Sequence, residues 1–229
     1  MLGAELPGLC DCRRCSRLAT YRESHPPRKG LSRADYWGKP VPGFGDSQGR
    51  VCLVGLAPGA HGANRTGRPF TGDGAGDFMY PLLHDAGFAS QKEAVAADDG
   101  LVLHDLYLTN AVKCVPPENR PQTNEYIHCL DYLAQELASL PRLRVICALG
   151  RGAYDSCLRL LLQQGRIRRR GDYLFGHGAV HQIEPNLWLV ASYHTSRYNI
   201  QTRRIDATMF LSLLATVRRL ANGDDGENG

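Results

Sequence analysis

The sequence predicts an α/β fold in which a central, mostly parallel sheet is covered by helices on both faces. Two observations carry this. Short continuous apolar runs such as VCLVGL and VICALG read as strands buried on both sides, and segments with helical spacing alternate with them. A third bears on function as well as architecture. The segments richest in Gly, Asn and His each follow a strand, where open α/β sheets place their ligand crevices.

In chain order, residues 1–50 are rich in Arg, Pro and Gly. They predict a short helix near 13–22 and then a long loop wrapped over the body. A buried strand is expected over 50–56 and a helix over 77–87, where Gly87 is a usual C-terminal stop. A second strand is expected over 104–113. Thr123 can cap a helix reaching about 140, with Ile127, Leu130, Ala134 and Leu137 on one face. A third strand spans 143–149 and another helix 152–164. Residues 173–183 read as a hairpin or bent strand, and 187–193 as the last core strand. A closing helix over 203–220 presents Ile205, Met209, Leu213, Val217 and Leu220 on one side. The expected architecture is three layers, α/β/α, around a mostly parallel four-stranded sheet. It forms a single domain over 1–221, with a disordered tail over 222–229.

With 229 residues, 43% apolar and 22% charged, the chain can build an ordinary globular core. A net charge of +4 permits a polyanionic partner without demanding one. No apolar run approaches membrane-spanning length, and the start lacks the charged and apolar regions of a signal peptide. A cytoplasmic protein, monomeric and without membrane contact, is expected. Eight cysteines in such a chain point to metal ligation or core packing rather than disulfides. Cys52, Cys147 and Cys157 lie in apolar or helical stretches and read as small buried hydrophobes. Cys12-x2-Cys15 and Cys114-x14-Cys129 read as four thiolates from separate segments. Four thiolates suit tetrahedral zinc or an iron–sulfur cluster, and spacing does not choose between them.

Three segments carry chemistry. GLAPGAHGANRTGRPFTGDGAG, residues 55–76, follows the first strand; its glycines let backbone N–H groups approach a ligand, and Phe70 offers a face for stacking on a base. LTNAVKCVPPENRP, residues 108–121, brings Asn110 to a strand end, where a carboxamide can match the donor and acceptor edge of uracil or of another base. VASYHTSRYN, residues 190–199, leaves the last strand with His194, which can face the developing anion of a leaving group. Ser196, Arg197, Tyr198 and Asn199 after it suit phosphate contact and wedging of a duplex. Taken singly, Phe70 also reads as core, Asn110 as a turn former and His194 as a structural histidine. Arginines in GRIRRR, residues 165–170, and Arg197, Arg203 and Arg204 are candidates for tracking a DNA backbone, and the first cluster reads equally as a solvated loop.

Together, in this order, these segments resemble the iron–sulfur members of the uracil-DNA glycosylase superfamily, and most closely family 5, or type B. The resemblance covers roughly residues 9 to 220. It implies a uracil-DNA glycosylase-like fold and a monofunctional enzyme that flips uracil, or a related deaminated base, out of DNA and hydrolyses its glycosidic bond. It makes Phe70 the stacking aromatic, puts His194 opposite the uracil O2, and places Asn110, or Asn119 in PPENRP, on the base edge. Gly55, Ala57, Gly59 and His61 belong to the pocket wall. Where much of the superfamily has a first-motif acid or amide to handle the attacking water, this chain has Ala57 and Gly59. Asp73 is the substitute candidate, and His61 a weaker one. The resemblance also implies a [4Fe–4S] cluster on Cys12, Cys15, Cys114 and Cys129. A metal-stabilised protein that recognises DNA damage without cutting it, or a nucleotide-binding metabolic enzyme, is the rival expectation.

Overall fold

In the computed structural model, which describes residues 6–223, seven helices flank one sheet. Helix α1 is Ser16–Ser24. Strands β1 (Phe44–Gly45) and β2 (Val51–Gly55) follow, then α2 (Ala63–Thr66), α3 (Gly74–Asp85), β3 (Leu106–Asn110) and α4 (Thr123–Ala138). Next come β4 (Val145–Leu149), α5 (Arg151–Gln163), β5 (Val180–Glu184), β6 (Leu187–Ser192), α6 (Arg197–Gln201) and α7 (Ala207–Asn222). Residues 224–229, most of the expected tail, lie outside the described part.

The expected four-stranded sheet is overturned. The sheet has six strands in the order β1-β3-β2-β4-β6-β5 and is mixed. Its four inner strands, β3, β2, β4 and β6, run parallel, while β1 on β3 and β5 on β6 are antiparallel edges. Neither edge carries the signal that marks the inner strands. Phe44–Gly45 is too short for a period, and VHQIE is half-exposed and polar, as an edge strand should be.

Successive inner-strand residues point to opposite faces, and both faces are covered. Val51, Leu53, Leu106, Leu108, Val145 and Cys147 pack with α3 and α7. Cys52, Val54, Tyr107, Ile146, Ala148 and Leu189 pack with α4 and α5. Three element boundaries differ from expectation for local reasons. Helix α3 begins at Gly74 because the Asp73 carboxylate accepts from the Ala75 and Gly76 amides. The cap of α4 is Gln122, which pairs reciprocally with Glu125, so Thr123 is already helical. The stretch expected to be helical from 203 breaks first, with Arg203 at φ 56°. Helix α7 starts only after Asp206, whose side chain accepts from the Met209 amide.

Candidate active site

The loops after β2, β3 and β6 leave the same, carboxyl end of the sheet and enclose one cavity of about 340 Å³. The first loop contributes Ala57, Gly59, Phe70 and Asp73, the second Asn110 and Asn119, the third His194, Ser196 and Arg197. Leu56, Pro58, Ala63, Gly74 and Ala75 complete the lining. These five carry no polar side chain, which is why residue chemistry does not single them out.

Phe70 sits in a turn with φ 53°, a region an aromatic residue rarely occupies. The turn is clamped from three sides. The Arg68 guanidinium, fully buried, forks onto Asp99 and donates Nε to Thr71 Oγ1 at 2.8 Å. The Tyr80 hydroxyl donates to the Pro69 carbonyl at 3.1 Å. The Phe70 carbonyl lies over Gly76, where a Cβ would come within 1.8 Å of it. Strain of this kind persists only where the surroundings over-determine it. Neither Arg68 nor Asp99 is legible in the sequence as part of the site, because a buried pair 31 positions apart leaves no local pattern.

Gly55 does not line the cavity; it makes room for what does. A Cβ there would lie 2.4 Å from Asn110 Oδ1 and 2.5 Å from Phe70 Cζ. Asn110 ends β3 and pairs in register with Gly55. Asn119 reaches the cavity from a loop where it has φ 55°. His61 is outside the lining, and its Nδ1 is 2.8 Å from the Tyr36 hydroxyl. The geometry therefore does not bring His61 to the pocket.

Asp73 caps α3 through Oδ1, at 3.1 Å from each of two amides. Its Oδ2 faces Gly59 and Gly62, where side chains would collide with it at 2.9 and 2.2 Å. Opposite, burial pushes the His194 imidazole below its ordinary pKa, and the Asp73 carboxylate offsets this in part. His194 is thus a neutral imidazole at neutral pH. Its carbonyl accepts from Asn199 Nδ2 at 2.8 Å, and Ser196 Oγ caps α6 by accepting from the Asn199 amide. Asn199 and the Ser196 hydroxyl thus shape the loop, whereas Tyr198 stands 71% exposed and Arg197 lies across the mouth beside Gly74.

The four singled-out cysteines line a second, much smaller cavity with Leu18, Arg22, His128 and Tyr132. Arg22, itself buried, donates Nη1 to Cys114 Sγ at 3.0 Å, His128 Nδ1 is 3.3 Å from Cys15 Sγ, and the Lys113 amide donates to Cys129 Sγ at 3.5 Å. Burial raises the Cys15 and Cys114 thiols to about 11 and about 12. Among the described residues, no three Cys, His, Asp or Glu side chains gather closely enough to hold a single metal ion. No disulfide links the cysteines. Cys52, Cys147 and Cys157 are buried in the core.

Fold and site define an α/β protein whose crevice opens at the carboxyl ends of parallel strands. Residues 42–218 match the model of the Uracil DNA glycosylase superfamily. A type-5 uracil-DNA glycosylase of Thermus thermophilus is 49% identical over 214 residues, 93% of this chain and 95% of the relative. Type-5 enzymes of Mycobacterium bovis and Pyrobaculum aerophilum are 40% and 38% identical, covering 92% and 95% of this chain and 78% and 91% of theirs. The chain therefore belongs to the uracil DNA glycosylase superfamily and, within it, to the type-5 family.

Proposed function

We propose that the protein excises uracil, or a related deaminated base, from DNA by hydrolysing the N-glycosidic bond. The observation that carries this reading is the meeting of Phe70, Asn110, Asp73 and His194 around one cavity. The extruded base stacks on Phe70, and the Asn110 carboxamide pairs with its edge, with Asn119 at the rim. As C1′–N1 breaks, the bond pair moves onto the base, and the neutral His194 donates a hydrogen bond to the oxygen where that charge collects. Water oxygen closes on C1′, oriented by the free Oδ2 of Asp73, and one water proton passes by way of that carboxylate to the departing base anion, so OH ends on the sugar and the base leaves protonated. A neutral imidazole serves because it can donate while keeping its own proton. Ala57 and Gly59 keep the start of the first loop small and apolar, so Asp73 acts without help from an acid or amide at those two positions.

Cys12, Cys15, Cys114 and Cys129 would hold a [4Fe–4S] cluster. Support comes from the all-sulfur donor set, drawn from three separate segments around one cavity. Bound there, it would cross-link the N-terminal segment, the loop after β3, and α4. Binding must displace protons from thiols, of which burial holds Cys15, Cys114 and Cys129 above the ordinary cysteine range.

The test uses labelled oligonucleotides carrying one uracil in each pairing context. Strand scission only after alkali, with free uracil in the supernatant, is expected. Tight binding of uracil-containing DNA without base release would instead make the protein a damage-recognition module.

A further inference from the structure

A third cavity, of about 310 Å³, opens between the first turns of α5 and the loop at 170–175. Its wall includes Arg151, Arg170, Tyr173, Leu174 and Phe175, with Asp155 beside Arg151. It adjoins the proposed active site through packed groups. Gly150, immediately before α5, lies against His194, where an added Cβ would be 3.1 Å from the His194 Cβ. The Phe175 ring packs on Tyr193, next to His194 in the chain, with centroids 6.2 Å apart.

The loop is held rather than loose. His181 Nε2 is 2.9 Å from the Leu174 carbonyl oxygen, Tyr173 packs edge-on against His181, and Phe175 also packs on Tyr154. Yet the Leu174 side chain is 75% exposed. Three consecutive exposed arginines, 168 to 170, precede it. Arg166 is committed to Glu184 and Arg169 to Asp172, while Arg151 is forked onto Asp155. Arg168 and Arg170 form no ion pair among the described residues. An exposed aliphatic side chain on a held backbone, close in the chain to uncommitted guanidinium groups, suits one kind of partner. The guanidinium groups meet phosphates, and the aliphatic chain presses on a base step.

We infer that this face is a second DNA-binding element. Arg168 and Arg170 bind phosphates flanking the flipped nucleotide, and Leu174 packs into the duplex beside it. This rests on the glycosylase reading above. The probe is a duplex bearing a non-hydrolysable abasic-site analogue, titrated with full-length protein over about 50 to 200 mM salt. For the Arg168→Ala/Arg170→Ala protein, the slope of log affinity against log salt should fall by about one for each phosphate no longer neutralised. Leu174→Ser should weaken duplex binding severalfold and single-strand binding much less. Both changes lie on the surface, and unchanged melting temperatures establish that the fold is kept. A wild-type slope in the arginine variant, or wild-type duplex affinity in Leu174→Ser, overturns the proposal. Absence of uracil release by the wild-type protein would refute the glycosylase reading instead, and the salt slopes would still report on this face.

Discussion

Arg68 closes on Asp99 as a two-pronged fork, Nη1 to Oδ1 at 2.7 Å and Nη2 to Oδ2 at 2.6 Å, both side chains almost wholly buried. The pair joins the Phe70 turn to a loop in which Asp99 also accepts from the Val95, Ala96 and Leu101 amides. A buried ion pair is a poor source of net stability compared with apolar packing, but breaking one is expensive. Its consequence is geometric: it holds Phe70 in a backbone conformation that the residue would not choose.

Removing one partner should therefore cost more than an ordinary surface change. Asp99→Ala strands a buried guanidinium and should lower unfolding free energy by about 3–5 kcal/mol, measured by urea denaturation. Burial opposes ionisation of Asp99, yet Arg68 and the three amides outweigh it and hold the carboxyl well below its usual range. The unfolded chain then takes up the proton first as pH falls. This stabilisation is complete above the ordinary carboxylate pKa of about 3.9 and drains away as pH drops from there toward the folded value. Asp99→Asn should flatten that acid arm of the stability profile.

His194→Ala should lose far more single-turnover rate on uracil than Asp73→Asn. His194 faces charge that exists only as the bond breaks, and a donor in such a place is worth about 2.7–4 kcal/mol. Asn at 73 still caps α3, so this comparison separates water orientation from helix stability, which Asp73→Ala would confound by about 1 kcal/mol. Equal losses would mean that water activation dominates. Because burial holds His194 below its ordinary pKa, the change in wild-type rate as pH falls should come at lower pH than an ordinary imidazole would give.

Phe70→Ala should weaken capture of the flipped base by about 1–3 kcal/mol, read from the KM for a uracil-containing strand. Gly76→Ala should imitate it from a distance, since its Cβ cannot coexist with the Phe70 carbonyl. A Gly76→Ala protein with unaltered KM would show that the turn relaxes without moving the ring.

Purified protein should be brown and contain iron and sulfide. Serine at Cys12, Cys15, Cys114 or Cys129 should reduce iron content, whereas Cys52→Ser, deep in the sheet core, should keep it while lowering stability. Zinc without iron would leave the four ligands standing and remove the cluster.

How much of the fold and site is legible in the sequence depends on whether a feature is local in the chain. The inner strands announce themselves because a parallel strand buried on both faces must be apolar throughout, as in Val51–Gly55 and Val145–Leu149. The edges β1 and β5 have no such obligation, and the sequence undercounts the sheet for that reason. The chemistry of Asp73 marks it out, but nothing local says that it caps α3 with one oxygen and turns the other to a glycine-walled cavity.

By itself the sequence determined the layered α/β plan, the family, and the three strand-following loops that supply Phe70, Asn110 and His194. Periodicity and motif order are properties of contiguous residues. Only the tertiary structure decided which of the named residues share the cavity. It turned His61 toward Tyr36, spent Asn199 on the His194 carbonyl, and set Gly55 beneath Phe70 and Asn110. Each of these outcomes depends on where side chains meet across the folded chain, and a linear sequence leaves that unsaid.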